Sequence, residues 1–238
     1  MICNRKCMRY HTYTLVAFLL LSLLSMPLQA NNPVKAELPE LTPAAHYQLY
    51  NDLSGEAKPS FTAFSLALQG YQALEAQTQR AIITVIDFSL PSSEKRMWII
   101  DLEKQVILHH TYVAHGKNTG TLMAKRFSNI PQSLQSSLGF YQTDNVYYGK
   151  HGRSLRLNGL ESGINDKARE RAIVLHGADY ATEAFVKRQG RLGRSFGCPA
   201  VPRQETDAII DWIKEGTLLF IYHPDPAYLS ASPVLHTS

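Results

Sequence analysis

The chain has 238 residues, with 24 lysines and arginines against 20 aspartates and glutamates, for a formal net charge of +4. That balance is too weak for a nucleic-acid binder held by charge, but it suits an acidic wall polymer or a membrane face. An apolar content of 45% with 10% aromatics excludes a disordered chain.

The opening residues read as an export signal. Arg5, Lys6 and Arg9 give a positive start, residues 15–24 form an apolar run, and Pro27-Leu28-Gln29-Ala30 ends in a small residue suited to cleavage. The competing reading is an uncleaved anchor, for which an apolar run of about ten residues is borderline, too short to span a bilayer comfortably. Cleavage after Ala30 removes Cys3 and Cys7 and leaves about two hundred residues, enough for one well-buried domain.

Residues 31–80 read as a helical lead-in with one helical turn around 44–50. From Ser60, a good N-cap, Phe61, Phe64, Leu68, Tyr71 and Leu74 recur at helical spacing and predict a helix to about Gln77. The β-branched run 81–88 predicts a central strand. Residues 97–101 and 106–113 form a hairpin around Glu103-Lys104. The stretch 115–165 has little periodicity and reads as long loops carrying short strands. Residues 171–176 predict a strand that ends on His176. Residues 206–214 predict an amphipathic helix with Ala208, Ile209, Trp212 and Ile213 inward, followed by a strand at 217–222 and a tail from 224 to 238. Strands dominate, so the fold class is β-rich α+β.

Once the opening is set aside, Cys198 is the one remaining cysteine. A lone thiol in an exported chain has no disulfide partner and is open to oxidation. It reads as a nucleophile, with His176 as the base that takes its proton and later returns it to a leaving amine. The bland alternative is a buried cysteine acting as a small apolar side chain; the glycines and polar residues around it argue against that. Gly197 lets the backbone turn tightly, so the N–H groups of Gly197 and Cys198 are candidates to receive an oxyanion. Ser195 is a candidate to hold the loop.

His176-Gly177 at a strand end, followed after a glycine-rich loop by Ser195-Phe196-Gly197-Cys198, resembles the signature of the murein L,D-transpeptidase catalytic domain (YkuD-like) family. The likeness extends to Ala114-His115-Gly116, Phe127-Ser128-Asn129, Ser137-Leu138-Gly139-Phe140-Tyr141 and Ser154-Leu155-Arg156-Leu157-Asn158-Gly159-Leu160-Glu161. It implies a mostly β, sandwich- or barrel-like catalytic domain over 81–223 and acyl transfer on peptidoglycan stem peptides. Two positions depart from the signature: Phe196 stands where it has histidine, and Ala200 where asparagine or arginine is usual. The first leaves His176 as the motif histidine, oriented by the Gly177 carbonyl, with Asp179 a second candidate for that role. Phe196 is then expected to pack under the loop and support Cys198.

Other polar residues have two readings each. Arg194 and Arg153 are candidates to hold a stem-peptide carboxylate, alongside Arg156, although surface arginines are common. His115 lines the cleft or is structural, and one of His109 and His110 faces solvent. Tyr148, with Tyr141 and Tyr147, forms a cleft wall or simply packs. No metal-ligand spacing occurs, and no cofactor is expected. The sequence therefore predicts an exported monomeric cysteine acyl-transferase of the periplasm or cell envelope. It touches the membrane only during export, binds no nucleic acid, and forms a thioester on Cys198. A hydrolase with the same nucleophile and a wall-binding module without catalysis are the alternatives.

Overall fold

The computed structural model describes residues 42–55 and 57–236. The predicted signal and cleavage site lie outside the described residues. Helix α1 (Pro43–Asp52) opens on Thr42, whose hydroxyl accepts from the Ala45 N–H, and it is longer than the single turn predicted. Helix α2 (Phe61–Leu74) is capped by Ser60 and runs into a 3₁₀ turn at Glu75–Gln77. It buries Phe64, Leu68, Tyr71 and Leu74, each worth roughly 1.5–3 kcal/mol of apolar transfer.

Eight strands form one mixed sheet in the order β3-β2-β1-β8-β4-β5-β6-β7. Strand β1 (Ile82–Asp87) lies between β2 (Met97–Asp101) and β8 (Leu218–Tyr222), is buried along its whole length, and is central as its unbroken apolar run predicts. Strand β3 (Val106–Thr111) completes the expected hairpin with β2. Beyond β3 the chain bridges Ala114 to Ala200 of β7 (Ala200–Pro202), with N–H to carbonyl distances of 2.8 and 3.3 Å. This joins the two outer strands and bends the sheet toward a barrel, as the resemblance implies. Ala114, Ala178, Ala181 and Ala200 cluster with Leu192 at the closure, where small side chains let the backbones approach.

Several expectations need correction. The stretch 115–165 holds the two longest strands, β4 (Gly139–Gly149) and β5 (Gly152–Gly159), rather than loops with short strands. A bulge between Thr143 and Val146 shifts the side-chain alternation midway, so no unbroken period of two survives in the sequence. Strand β6 (Val174–Ala178) begins three residues later than predicted and places His176 at its middle rather than its end. Ala172 adopts φ 52° and closes the turn before it. Helix α3 (Glu183–Gln189) went unread, although Thr182 caps it and Gly190, at φ 71°, ends it. Helix α4 (Thr206–Ile213) buries Ile210 where Ala208 was expected, and Trp212 is only half buried. The supposed tail contains α5 (Pro226–Ala231), anchored where Ser232 Oγ and Tyr228 Oη donate to the buried Glu161 carboxylate.

Candidate active site

Strand pairing assembles the site. His176 on β6 lies opposite Ser154 of β5 on one side and Ala200 of β7 on the other. Cys198 precedes Ala200 by two residues, which sets it alongside Val174 on the parallel neighbour. The Val174 N–H points to Cys198 Sγ at 3.5 Å, and the sulfur faces the Ala172 carbonyl at 3.7 Å. Cys198 and His176 both line one cleft of about 680 Å³.

The loop carrying the thiol is held from within and from behind. Ser195 Oγ donates to the Cys198 carbonyl at 2.6 Å and accepts from the Gly197 N–H at 3.1 Å. The Gly197 carbonyl accepts from Ser136 Oγ at 2.9 Å, and Ser136 Oγ in turn accepts from the Gly116 N–H at 3.0 Å. Gly197 sits at φ 128°, and a Cβ there would come within 2.8 Å of the Gln135 carbonyl, so the position demands glycine twice over. The Gly197 N–H is therefore engaged by Ser195, and of the two donors predicted for an oxyanion only the Cys198 N–H remains a candidate.

His176 is 2% exposed. Its Nδ1 lies 3.1 Å from the Gly177 carbonyl, which fixes the proton on Nδ1 and leaves Nε2 as the basic nitrogen. Gly177 is needed behind it, because a Cβ there would approach Thr206 Oγ1 to 2.4 Å and the Arg203 Cα to 3.1 Å. Burial pulls the His176 pKa down to about 4; the Gly177 carbonyl opposes this, while His151, Arg203 and Lys150 add to it. Burial also pushes the Cys198 thiol up, against the Val174 N–H and the positive charges of Arg171 and Lys150. At rest the cleft thus holds a protonated thiol and a neutral imidazole. Asp179 pairs with Arg203, Nε to Oδ1 at 2.6 Å, and leaves the orienting of His176 to the Gly177 carbonyl.

The cleft wall comprises Ser195, Phe196 and Arg194, all predicted, and Tyr147, Lys150, His151, Arg171 and Tyr180 beside them. Phe196 is 67% exposed on this wall, so the expectation that it packs under the loop is overturned; the space behind Gly197 is filled by Gln135, Ile173 and Arg171. Three predicted substrate contacts fall elsewhere. His115 is 1% exposed, with Nδ1 accepting from Arg96 Nη2 at 2.8 Å and Nε2 facing the Gly120 carbonyl at 3.3 Å. Arg153 reaches Asp211 on α4 at 2.6 Å. Tyr148 is 80% exposed and points away from the face on which Tyr147 meets the cleft, as strand alternation requires. Tyr141 is fully buried, with its hydroxyl on the Ser137 carbonyl.

Sequence reasoning missed four of these wall residues. Lys150 and His151 sit at the β4–β5 turn, whose Gly149 and Gly152 were a hairpin signal obscured by the bulge upstream. Arg171 donates to the Ser128 and Gln135 carbonyls and to Ser133 and Ser137, tying the 128–137 loop to the site. Tyr180 gave no local signal. Among the described residues no group of three or more acidic, histidine or cysteine side chains could hold a metal ion. No helix among them is long and apolar enough to cross a membrane.

The model of the L,D-transpeptidase catalytic domain family matches residues 56–222, and the chain belongs to that family. Similar solved structures include an L,D-transpeptidase from Mycobacterium smegmatis, at 12% identity and TM-score 0.38, covering 60% of this chain and 59% of that one. L,D-transpeptidase 3 from Mycobacterium tuberculosis matches at 10% identity and TM-score 0.39, over 60% and 62% of the two chains. The helical cell shape determining protein Pgp2 from Campylobacter jejuni matches at 12% and 0.39, over 67% and 57%. This chain thus spans less than two thirds of the length of each. No curated protein matches it.

Proposed function

We propose that the protein is an exported cysteine acyl-transferase acting on peptidoglycan stem peptides. The observation that carries the reading is that Cys198 and His176 line one cleft, His176 from β6 and Cys198 from the loop that leads into the parallel β7. Lys150, Arg171 and Arg194 line that cleft and, among the described residues, no carboxylate does, which suits a substrate bearing carboxylates.

In the first step Cys198 Sγ attacks the carbonyl carbon joining an L-residue to a terminal D-residue. The thiol proton passes to His176 Nε2 as the S–C bond forms, and the Cys198 N–H faces the developing oxyanion. The C–N bond then breaks, the proton moves from His176 to the departing amine, and the D-residue leaves behind a thioester. An incoming amine gives up a proton to His176 and attacks the thioester, and the proton returns to the Cys198 sulfur as it departs. Water in place of the amine gives hydrolysis. That second reading is favoured by the same three cations, which repel an ammonium-bearing acceptor.

Purified protein incubated with tetrapeptide muropeptides is expected to gain an acyl mass lacking the terminal D-residue and to release that residue. Dimeric muropeptides identify transfer, and tripeptides alone identify hydrolysis. Neither adduct nor product, with Cys198 confirmed reduced, overturns the reading in favour of a wall-binding module. Export is tested by sequencing the envelope form, expected to begin at Asn31.

A further inference from the structure

The turn between β4 and β5 carries an imidazole onto the base of the site. The His151 ring stacks on the His176 ring with centroids 4.2 Å apart and planes inclined by 22°. It is held there by its backbone. Arg203 Nη1 donates to the His151 carbonyl at 3.2 Å, while Arg203 Nε and Nη2 grip the two oxygens of Asp179 at 2.6 and 3.3 Å. Arg203 follows β7, Asp179 follows β6, and His151 belongs to the β4–β5 turn, so a single guanidinium ties three segments around the histidine.

We propose that His151 is the positioning residue of the site, a ring cap that holds His176 in the orientation and the dry, neutral state in which its Nε2 can take a proton from Cys198. The inference rests on the acyl-transfer reading for its use but not for its physics, since the cap acts on the imidazole whether or not a substrate is known. Two features support it. His176 makes one ring hydrogen bond, to Gly177, and a single bond leaves a ring free to swivel about that axis unless its face is covered. His151 and the groups beside it also disfavour a charged His176. Lys150 from the same turn and Arg203 oppose protonation of both rings. The other titratable or charged groups around the cleft are Cys198 and Arg194 from the thiol loop, Arg171 ahead of β6, and Tyr147 and Tyr180; Asp179 is taken up by Arg203. His151 keeps a pKa below the usual histidine value through burial, with Lys150 and Arg203 contributing, so at neutral pH the cap is uncharged.

The test uses the full mature chain as wild type and as His151→Ala, His151→Phe and Asp179→Asn. The first readout needs no substrate: titration of the His176 ring nitrogens by long-range nitrogen–proton correlation spectra. Removing the cap in His151→Ala is expected to raise the His176 pKa by about one unit toward its ordinary value. His151→Phe, which keeps a flat ring, should recover at least half of that shift. Asp179→Asn should loosen the clamp and fall between wild type and His151→Ala. The second readout is the rate of acyl-adduct formation on stem peptides, expected to drop about tenfold to a hundredfold in His151→Ala and to return in His151→Phe. A His176 titration unchanged in His151→Ala overturns the proposal. A titration that shifts as stated while no variant, wild type included, forms an adduct leaves the cap standing and overturns the acyl-transfer reading instead. A shift in His151→Ala with no recovery in His151→Phe overturns the ring-cap role.

Discussion

Of the three histidines followed by glycine, His115-Gly116 and His176-Gly177 both come at a β-forming run singled out by the sequence, yet their ring nitrogens meet opposite surroundings. His115 receives Arg96 Nη2 on Nδ1, and its other nitrogen faces a carbonyl, so both ring nitrogens are engaged. Arg96 itself is fully buried, donates to the carbonyls of Val113 and Leu90, and lies over the Phe88 ring. Burial, with Arg96 adding to it, drives the His115 pKa down to about 3. His176 gives its Nδ1 proton to a carbonyl and keeps Nε2 available on a cleft shared with a thiol. A histidine can serve as a base only through a nitrogen its neighbours leave unused, which His176 has and His115 lacks. The other becomes a polar peg beneath the loop that Ser136 links to Gly197.

The largest expected effect breaks the comparison at its functional end. His176→Gln should slow acyl-adduct formation by at least about a hundredfold, the usual scale for a general base, with little change in thermal stability. His115→Gln should leave the rate at saturating substrate within a few-fold. A crippled His115→Gln beside a mild His176→Gln, in the same stopped-assay series, would reverse the assignment.

The structural end is next. His115→Ala strips Arg96 of an acceptor and opens a cavity, and should cost about 2–4 kcal/mol in urea denaturation. Its pH behaviour sharpens the contrast. Both histidines are neutral when folded, with pKa values of about 3 and about 4 against 6.5 for an ordinary histidine. Below pH 6.5 the unfolded chain binds protons that the folded chain refuses, so this contribution to stability is present above 6.5 and lost as pH falls toward 3. The urea midpoint measured between pH 7 and pH 4 should therefore fall less steeply in His115→Gln than in wild type.

A smaller effect concerns the thiol. Because burial holds Cys198 protonated, its alkylation by iodoacetamide without substrate should be slow at pH 7 and should accelerate only above the ordinary thiol range. Fast alkylation at neutral pH would mean a resting thiolate–imidazolium pair. The smallest effect falls on Phe196. With its ring exposed on the cleft wall, Phe196→Ala should change stability by no more than about 0.5 kcal/mol. Its effect should appear in KM for stem peptides rather than in folding, as a kinetic series with Phe196→Leu would resolve.

The sequence by itself determined the elements whose signals are local: the Ser60 cap and the helix after it, the unbroken apolar run that becomes the central strand, and the β2–β3 hairpin; it also singled out Cys198 and His176, which line one cleft. Their signals are a side-chain period, a cap or a motif, all readable over a few residues. Tertiary structure alone decided what depends on pairing across the chain. The bulge in β4 hid the longest hairpin, and with it the placing of His151 and Lys150 at the cleft. Strand alternation turned Tyr147 inward and Tyr148 outward. Arg153, read as a ligand for carboxylates, found Asp211 more than fifty residues away. His115-Gly116 and His176-Gly177 were equal on paper because a histidine's role is set by what each ring nitrogen meets. Those partners, Arg96 for His115 and the Cys198 cleft for His176, reach them only when distant strands close on one another.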